Sequence, residues 1–198
     1  MRKARRLKSY SEDRFVGLDI MLRNMAQVTI NEEGDIIAST LWETSLKGIQ
    51  RVNYYYEQFI EFISLHENVF YGVEDYAYGM GAKKSRSTFS IGEVSGTIKL
   101  HLYRARLPCM IFGIGQIKKF FTGKGNADKD MMINQAASMT HHIIMPDKKT
   151  HKDKVSHIAD AYAIALMVRY YSTGITTGLD VEQMTWLEAY SVRDFTLQ

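Results

Sequence analysis

Residues 14–42 constrain the fold most. They read as three strands in close succession: RFVGLDI over 14–20, then strands over 25–31 and 35–42, with Glu33-Gly34 as a hairpin turn. Connections this short force antiparallel pairing, because a parallel neighbour needs a crossover of a dozen or more residues. The period then changes. Ile49, Val52, Tyr56, Phe59, Ile60 and Ile63 follow helical spacing across 46–66. VFYGVE, over 69–74, is a short strand that closes on an acid. Residues 75–87, rich in Gly, Lys and Ser, read as a loop, followed by a helix over 88–105 and a strand over 109–114. The segment GQIKKFFTGKGNADKDMM reads as a short helix, a glycine loop and a new helix running to about 140. Residues 141–153 are polar and read as a loop, 154–171 as a helix, and Val181–Tyr190 as a last short helix. This order predicts an α/β layer with a mixed five-stranded sheet, its first three strands antiparallel, flanked by helices.

A chain of 198 residues suits one domain with a sizeable core. We expect a basic N-terminal arm over 1–12, a main domain over 13–172, and a C-terminal extension of that domain over 173–198. No run approaches the roughly 18 uninterrupted apolar residues of a membrane span, and the N-terminus lacks the apolar stretch of a secretory signal. The single Cys109 makes no internal disulfide and reads as a small buried residue. A cytoplasmic location is the expectation. Charge is uneven along the chain. Residues 83–129 hold ten Lys or Arg against two acids, Glu93 and Asp128. A local positive excess of this size is the footprint of a polyanion binder, although a solvated basic face has the same composition.

Three acids lie on apolar elements. Asp19 sits among Val16, Leu18 and Ile20, Glu74 ends its strand, and Asp160 lies in a helix of Ala, Ile, Tyr and Leu. Burying such groups is costly unless something compensates, and a shared cation would. Hard divalent ions such as Mg²⁺ take oxygen ligands and suit phosphate chemistry, two ions together flanking the attacking and leaving oxygens. Salt bridging and helix capping remain alternatives for each acid. Alternation sends Glu74 and its neighbour Asp75 to opposite faces, so only one of the two shares a site with Asp19. His157 lies three residues before Asp160, on the same helical side, as a ligand, a general base or a salt-bridge partner. Asp153, two turns before Asp160, is a weaker candidate ligand.

Four segments, in order across 15–168, resemble the RuvC-type Holliday junction resolvases of bacteria and their phages. They are FVGLDIMLRN, VFYGVEDYAYG, IKKFFTGKGNADKDMM and HIADAYAIAL. The third is the most specific. The resemblance implies an RNase H-like nuclease fold, a homodimer, and paired nicks across a four-way junction by a divalent-metal enzyme. The metal would be Mg²⁺, two ions per site, with Mn²⁺ able to substitute, and no organic cofactor or membrane is implied. By position, Asp19, Glu74 and Asp160 match the catalytic acids, and Lys118 and Lys129 match basic residues near the scissile phosphate. The Gly123-Lys124-Gly125 turn would let backbone approach DNA, and the helix after it would offer N–H groups to phosphate. Tyr76 and Tyr78 would stack on unpaired junction bases, or else pack locally. Lys83, Lys84, Arg86 and Lys119 would hold further phosphates.

Two departures stand out. The bacterial resolvases carry Asp-x-x-Asp in the last helix, where this chain has His157-x-x-Asp160. The nuclease lobe of the RNA-guided CRISPR enzymes resembles this chain there. Ile20 and Met21 also replace the small residues that commonly follow the first acid. Three rival readings are a junction-binding protein without chemistry, a broader flap and fork nuclease, and an RNase H acting on hybrids. The helix over 88–105, with Phe89, Ile91, Val94, Ile98 and Leu102, is a candidate dimer surface or a core element.

Overall fold

The computed structural model describes residues 13–63, 69–75, 85–143, 149–190 and 193–194. Six strands and six helices are assigned among them: β1 Arg14–Ile20, β2 Asn24–Ile30, β3 Ile36–Glu43, α1 Gly48–Ile63, β4 Val69–Glu74, α2 Ser85–Arg104, β5 Cys109–Phe112, α3 Ile114–Thr122, α4 Lys129–Met139, α5 Lys149–Thr173, α6 Val181–Ala189 and β6 Arg193–Asp194. The sheet order is β3-β2-β1-β4-β5-β6. β1, β2 and β3 pair antiparallel, and β4 joins β1 and then β5 in parallel. The mixed five-stranded sheet is therefore as expected. A two-residue β6, antiparallel to β5, adds a short sixth strand at the edge.

Helices cover both faces, which is why β1 is buried from Phe15 to Ile20 rather than alternating. Phe15 faces a core built with α3, α4, α5 and α6. Val16, Leu18 and Ile20 face a second core with Val52, Tyr55 and Phe59 of α1 and Val94, Ile98 and Leu102 of α2. α5 is the central helix, and every residue from Ala161 to Arg169 is buried. A helix apolar all round belongs inside a core.

The closeness of α5 to the sheet depends on two glycines. Gly17 of β1 and Gly72 of β4 are direct neighbours in the parallel register. A Cβ on Gly17 would overlap the Ala161 carbonyl oxygen and lie 2.7 Å from the Ala165 nitrogen. A Cβ on Gly72 would overlap Val168 and lie 2.7 Å from Ile164 Cγ2. The pair forms a bare strip on which α5 rests, its backbone over Gly17 and its side chains over Gly72.

Several boundaries differ from the sequence reading. The strand expected over 109–114 stops at Phe112, because Gly113 takes an extended conformation as the N-cap of α3 and bonds the Gln116 side chain. Residues 149–153, expected as loop, are the first turn of α5. Lys152 pairs with Asp130, and Lys154, just beyond, with Glu43, each at 2.6 Å. α2 begins at Ser85 rather than 88. In α1 the buried stripe is Val52, Tyr55 and Phe59, while Ile49 is 79% exposed in the first turn. Tyr56 instead bonds His101 Nδ1 of α2 at 3.1 Å. Gly34 has φ +93 in the turn predicted there, and its N–H donates to Asn31 O. Among the described residues no helix is long and apolar enough to cross a membrane.

Candidate metal centre and nucleic-acid interface

Asp19 is the next-to-last residue of β1 and Glu74 the last of β4. The register Leu18↔Val73 places them side by side at the C-terminal ends of adjacent parallel strands. Alternation from Gly17 and Gly72 turns both toward α5. Their glycines admit that helix, and α5 brings His157 and Asp160 over the strand ends. Ligand atoms of Asp19, His157 and Asp160 all lie within 4.8 Å of one another. His157 Nδ1 is 2.7 Å from Asp19 Oδ2. The choice between Glu74 and Asp75 is decided by the pleat: Asp75 points the other way and pairs with Lys99 of α2 at 3.6 Å.

The electrostatics are those of a crowded acid cluster. Burial, then the charges of Asp19 and Asp160, push Glu74 well above the usual carboxylate range, with Lys118 opposing. Burial and Asp19 push Asp160 up to about 7, against His157, Lys118 and Lys129. Burial alone would lower the His157 imidazole, but its hydrogen bond to Asp19 and the charges of Asp19 and Asp160 outweigh this, and the net shift is upward. Carboxylates that resist ionising together gain most from a cation. A donor set of carboxylate oxygens with one imidazole suits a hard divalent ion. Asp153 is not in this cluster. It is mostly exposed and holds Lys129 Nζ at 2.6 Å.

The glycine-lysine segment borders the same cluster, since Lys118 and Lys129 both act on its carboxyl groups. Its lysines partly fold back on the chain. Lys118 Nζ donates to Ala127 O at 2.7 Å and Lys119 Nζ to Gly123 O at 2.5 Å. Gly123 has φ +74 and closes α3, a conformation that favours glycine. Gly125 passes close to the Gly115 backbone, and Lys124 and Gly125 are exposed. One expectation is narrowed here. The α4 N-terminus does not offer all its N–H groups to phosphate, because Asp128 caps it and accepts from Met131 N at 2.9 Å. A side-chain carboxylate three residues before a free amide competes for it. Tyr76, Tyr78, Lys83 and Lys84 lie outside the described residues, as does the Arg86 side chain, although Arg86 falls in the first turn of α2.

Gly17 and Gly72 lie outside the set of residues that the sequence marks as functional. Each interrupts an apolar strand, FVGLDI and FYGVE, and a glycine inside a strand signals close backbone approach. Both stand two residues before an acid of the cluster.

The model of the crossover junction endodeoxyribonuclease RuvC family matches residues 14–168, the span that holds all four clustered residues. The chain belongs to the RuvC family. A RuvC relative from Wolbachia pipientis wMel is 26% identical over 163 residues, covering 79% of this chain and 94% of its own length. One from Caldicellulosiruptor saccharolyticus is 26% identical over 144 residues, covering 73% and 78%. Among solved structures, T. thermophilus RuvC in complex with Holliday junction substrate superposes with a TM-score of 0.63 at 16% identity, covering 85% of this chain and 98% of that one. A second Thermus thermophilus RuvC structure gives 0.62 at 19%, covering 82% and 97%. The likeness shows that the fold of this RuvC-family chain is RNase H-like.

Proposed function

We propose that this RuvC-family chain is a structure-selective endonuclease that resolves four-way DNA junctions. The observation that carries the reading is the cluster of Asp19, His157 and Asp160 within 4.8 Å, with Glu74 beside Asp19, at the strand ends of a RuvC fold. Asp19, Glu74 and Asp160, with His157 as a candidate fourth ligand, would hold Mg²⁺, two ions in the fullest occupancy, with Mn²⁺ able to substitute. When bound, the metal would supply Lewis-acid activation of a water and charge neutralisation at the departing 3′ oxygen.

The chain's own groups do the rest. Asp19 orients His157 through Nδ1, which leaves Nε2 either as a further metal ligand or as the acceptor for the attacking water's proton. Lys118 and Lys129 offset charge at the scissile phosphate. A phosphate arriving at Lys129 competes with Asp153 for its amine. Lys124, the Gly123–Gly125 backbone, Lys119, Lys83, Lys84 and Arg86 contact further phosphates, and Tyr76 and Tyr78 stack on unpaired bases. Paired nicks need two copies of the site, supplied by a homodimer, and leave 5′-phosphate and 3′-hydroxyl ends.

The test is incubation with an end-labelled four-way junction, a flap and a linear duplex in Mg²⁺. The expected result is preferential, symmetric cutting of the junction. Asp19→Asn should lower the cleavage rate by roughly three orders of magnitude while junction binding persists. No cutting by the wild type, or unimpaired cutting by Asp19→Asn, would overturn the enzyme reading. Equal cutting of flap and junction would replace it with a broader branched-DNA nuclease.

A further inference from the structure

A cavity of about 790 Å³ opens at the rim of the sheet, between the β1–β2 turn, the end of β3 and the start of α1. Its walls include Arg23, Lys47 and Arg51, three cations against one acid, Glu43. Glu43 is already taken: its carboxylate holds Lys154 Nζ of α5 at 2.6 Å. The cavity is thus left with uncancelled positive charge, and none of its three cations forms an ion pair among the described residues. Arg51 is the built part. It is only 8% exposed, and its Nε donates to Leu46 O at 3.0 Å. That bond fixes the guanidinium plane and leaves its terminal amino groups for an acceptor. α1 starts beside the cavity with no acid in its first turn, so the positive end of its dipole adds to the field. The walls are tied together, since Thr44 N donates to Arg23 O at 3.0 Å.

Its position gives the ligand. The β1–β2 turn begins two residues after Asp19, and Lys154 lies one helical turn before His157. Glu43 lines the cavity and its partner Lys154 belongs to α5, so the pair links the cavity wall to the helix that carries His157 and Asp160. Cavity and cluster thus adjoin the same end of β1.

We propose that the cavity is a second phosphate site, which takes a phosphodiester of the DNA strand away from the bond that is cut. Arg23 and Lys47 draw the strand in and Arg51 fixes one phosphate by a forked contact. This rests on the junction-nuclease reading above. Arg23 and Lys47 are exposed, so replacing both leaves the cores intact.

The experiment measures binding of a fluorescent four-way junction to the full chain in EDTA at several salt concentrations. The Arg23→Gln/Lys47→Gln variant should bind about tenfold more weakly near 0.1 M salt, with the slope of log affinity against log salt reduced by about one. Glu43→Gln, which removes the cavity's acid, should bind more tightly than wild type. Mg²⁺-induced thermal stabilisation should be the same in all three proteins. A double variant with wild-type affinity and slope would overturn the proposal while the wild type still binds and cuts. If the wild type itself neither binds nor cuts the junction, the nuclease reading falls first and this site with it. Inorganic phosphate provides the remaining arm. If it protects the amides of residues 46–51 from hydrogen exchange while the double variant binds DNA normally, the cavity takes free anions and the DNA assignment is wrong.

Discussion

Asp19 is the residue on which the cluster turns. It accepts from His157, repels Glu74 and Asp160, and is itself almost fully buried. Without metal this arrangement works against folding. Asp160 is raised from 3.8 to about 7, and Glu74 and His157 also shift upward. A raised group binds its proton more tightly in the folded state. Its stabilising contribution is present below the unfolded pKa and is lost as pH rises through the folded value. Metal-free protein should therefore melt at progressively lower temperature between about pH 4 and about pH 7. Mg²⁺ should restore the loss above about pH 7, since deprotonated ligands bind it best. Asp19→Asn should raise the metal-free melting temperature above wild type at about pH 8, because one repelling charge is gone. Thermal melts in EDTA and in Mg²⁺ check all three, and a metal-free melting temperature that rises across this range would contradict the clustering.

Strand and helix carry the next constraint. β1 and β4 must lie flat under α5 for His157 and Asp160 to reach Asp19. Gly17 meets helix backbone, which cannot rotate away, whereas Gly72 meets the side-chain tips of Val168 and Ile164. The two should respond differently. Gly17→Ala should cost about 3 kcal/mol or more, or prevent folding, and Gly72→Ala about 1–2 kcal/mol. Urea denaturation measures both. If folded, Gly17→Ala should lose more cleavage than Gly72→Ala, because a displaced α5 carries half of the cluster with it. Equal costs would mean that the strip does not set the helix position.

For the whole molecule, the proposed paired nicks require two copies of the cluster. The inner face of α2, Val94, Ile98 and Leu102, is fully committed to the core, so only part of the stripe expected as a dimer surface is available. Phe89 is 75% exposed, and Leu100 and Tyr103 are 48% and 53% exposed on the outer side of the same helix. Exposed apolar residues spaced along one helix suit an isologous contact between two copies. Light scattering should give twice the monomer mass, and Phe89→Lys with Tyr103→Lys should shift it to one. The monomeric variant should nick junctions singly rather than in pairs.

Much of this was legible in the chain itself. The antiparallel meander, the later parallel strands and the central helix follow from apolar period and turn residues. These are local physics, set by where each side chain must hide from water. The acids stood out because a charge in an apolar strand is costly. Their grouping was a different matter. Asp19 and His157 are separated by 138 positions. No local pattern says that the pleat turns Asp75 to Lys99 and Glu74 to the cluster, or that Asp153 takes Lys129. Nor does it say that Asp128 caps α4 before a phosphate arrives. Those outcomes depend on register and on the distance at which α5 rests, and that distance is set by two missing side chains facing a helix about 90 residues or more away in sequence, Gly17 against its backbone and Gly72 against its side chains. Apolar period and turn residues carry the main elements, β6 aside, and mark the residues that are out of place in them. Only the tertiary structure decided which of those residues meet, because packing distance is a property of pairs of elements and neither element carries it alone.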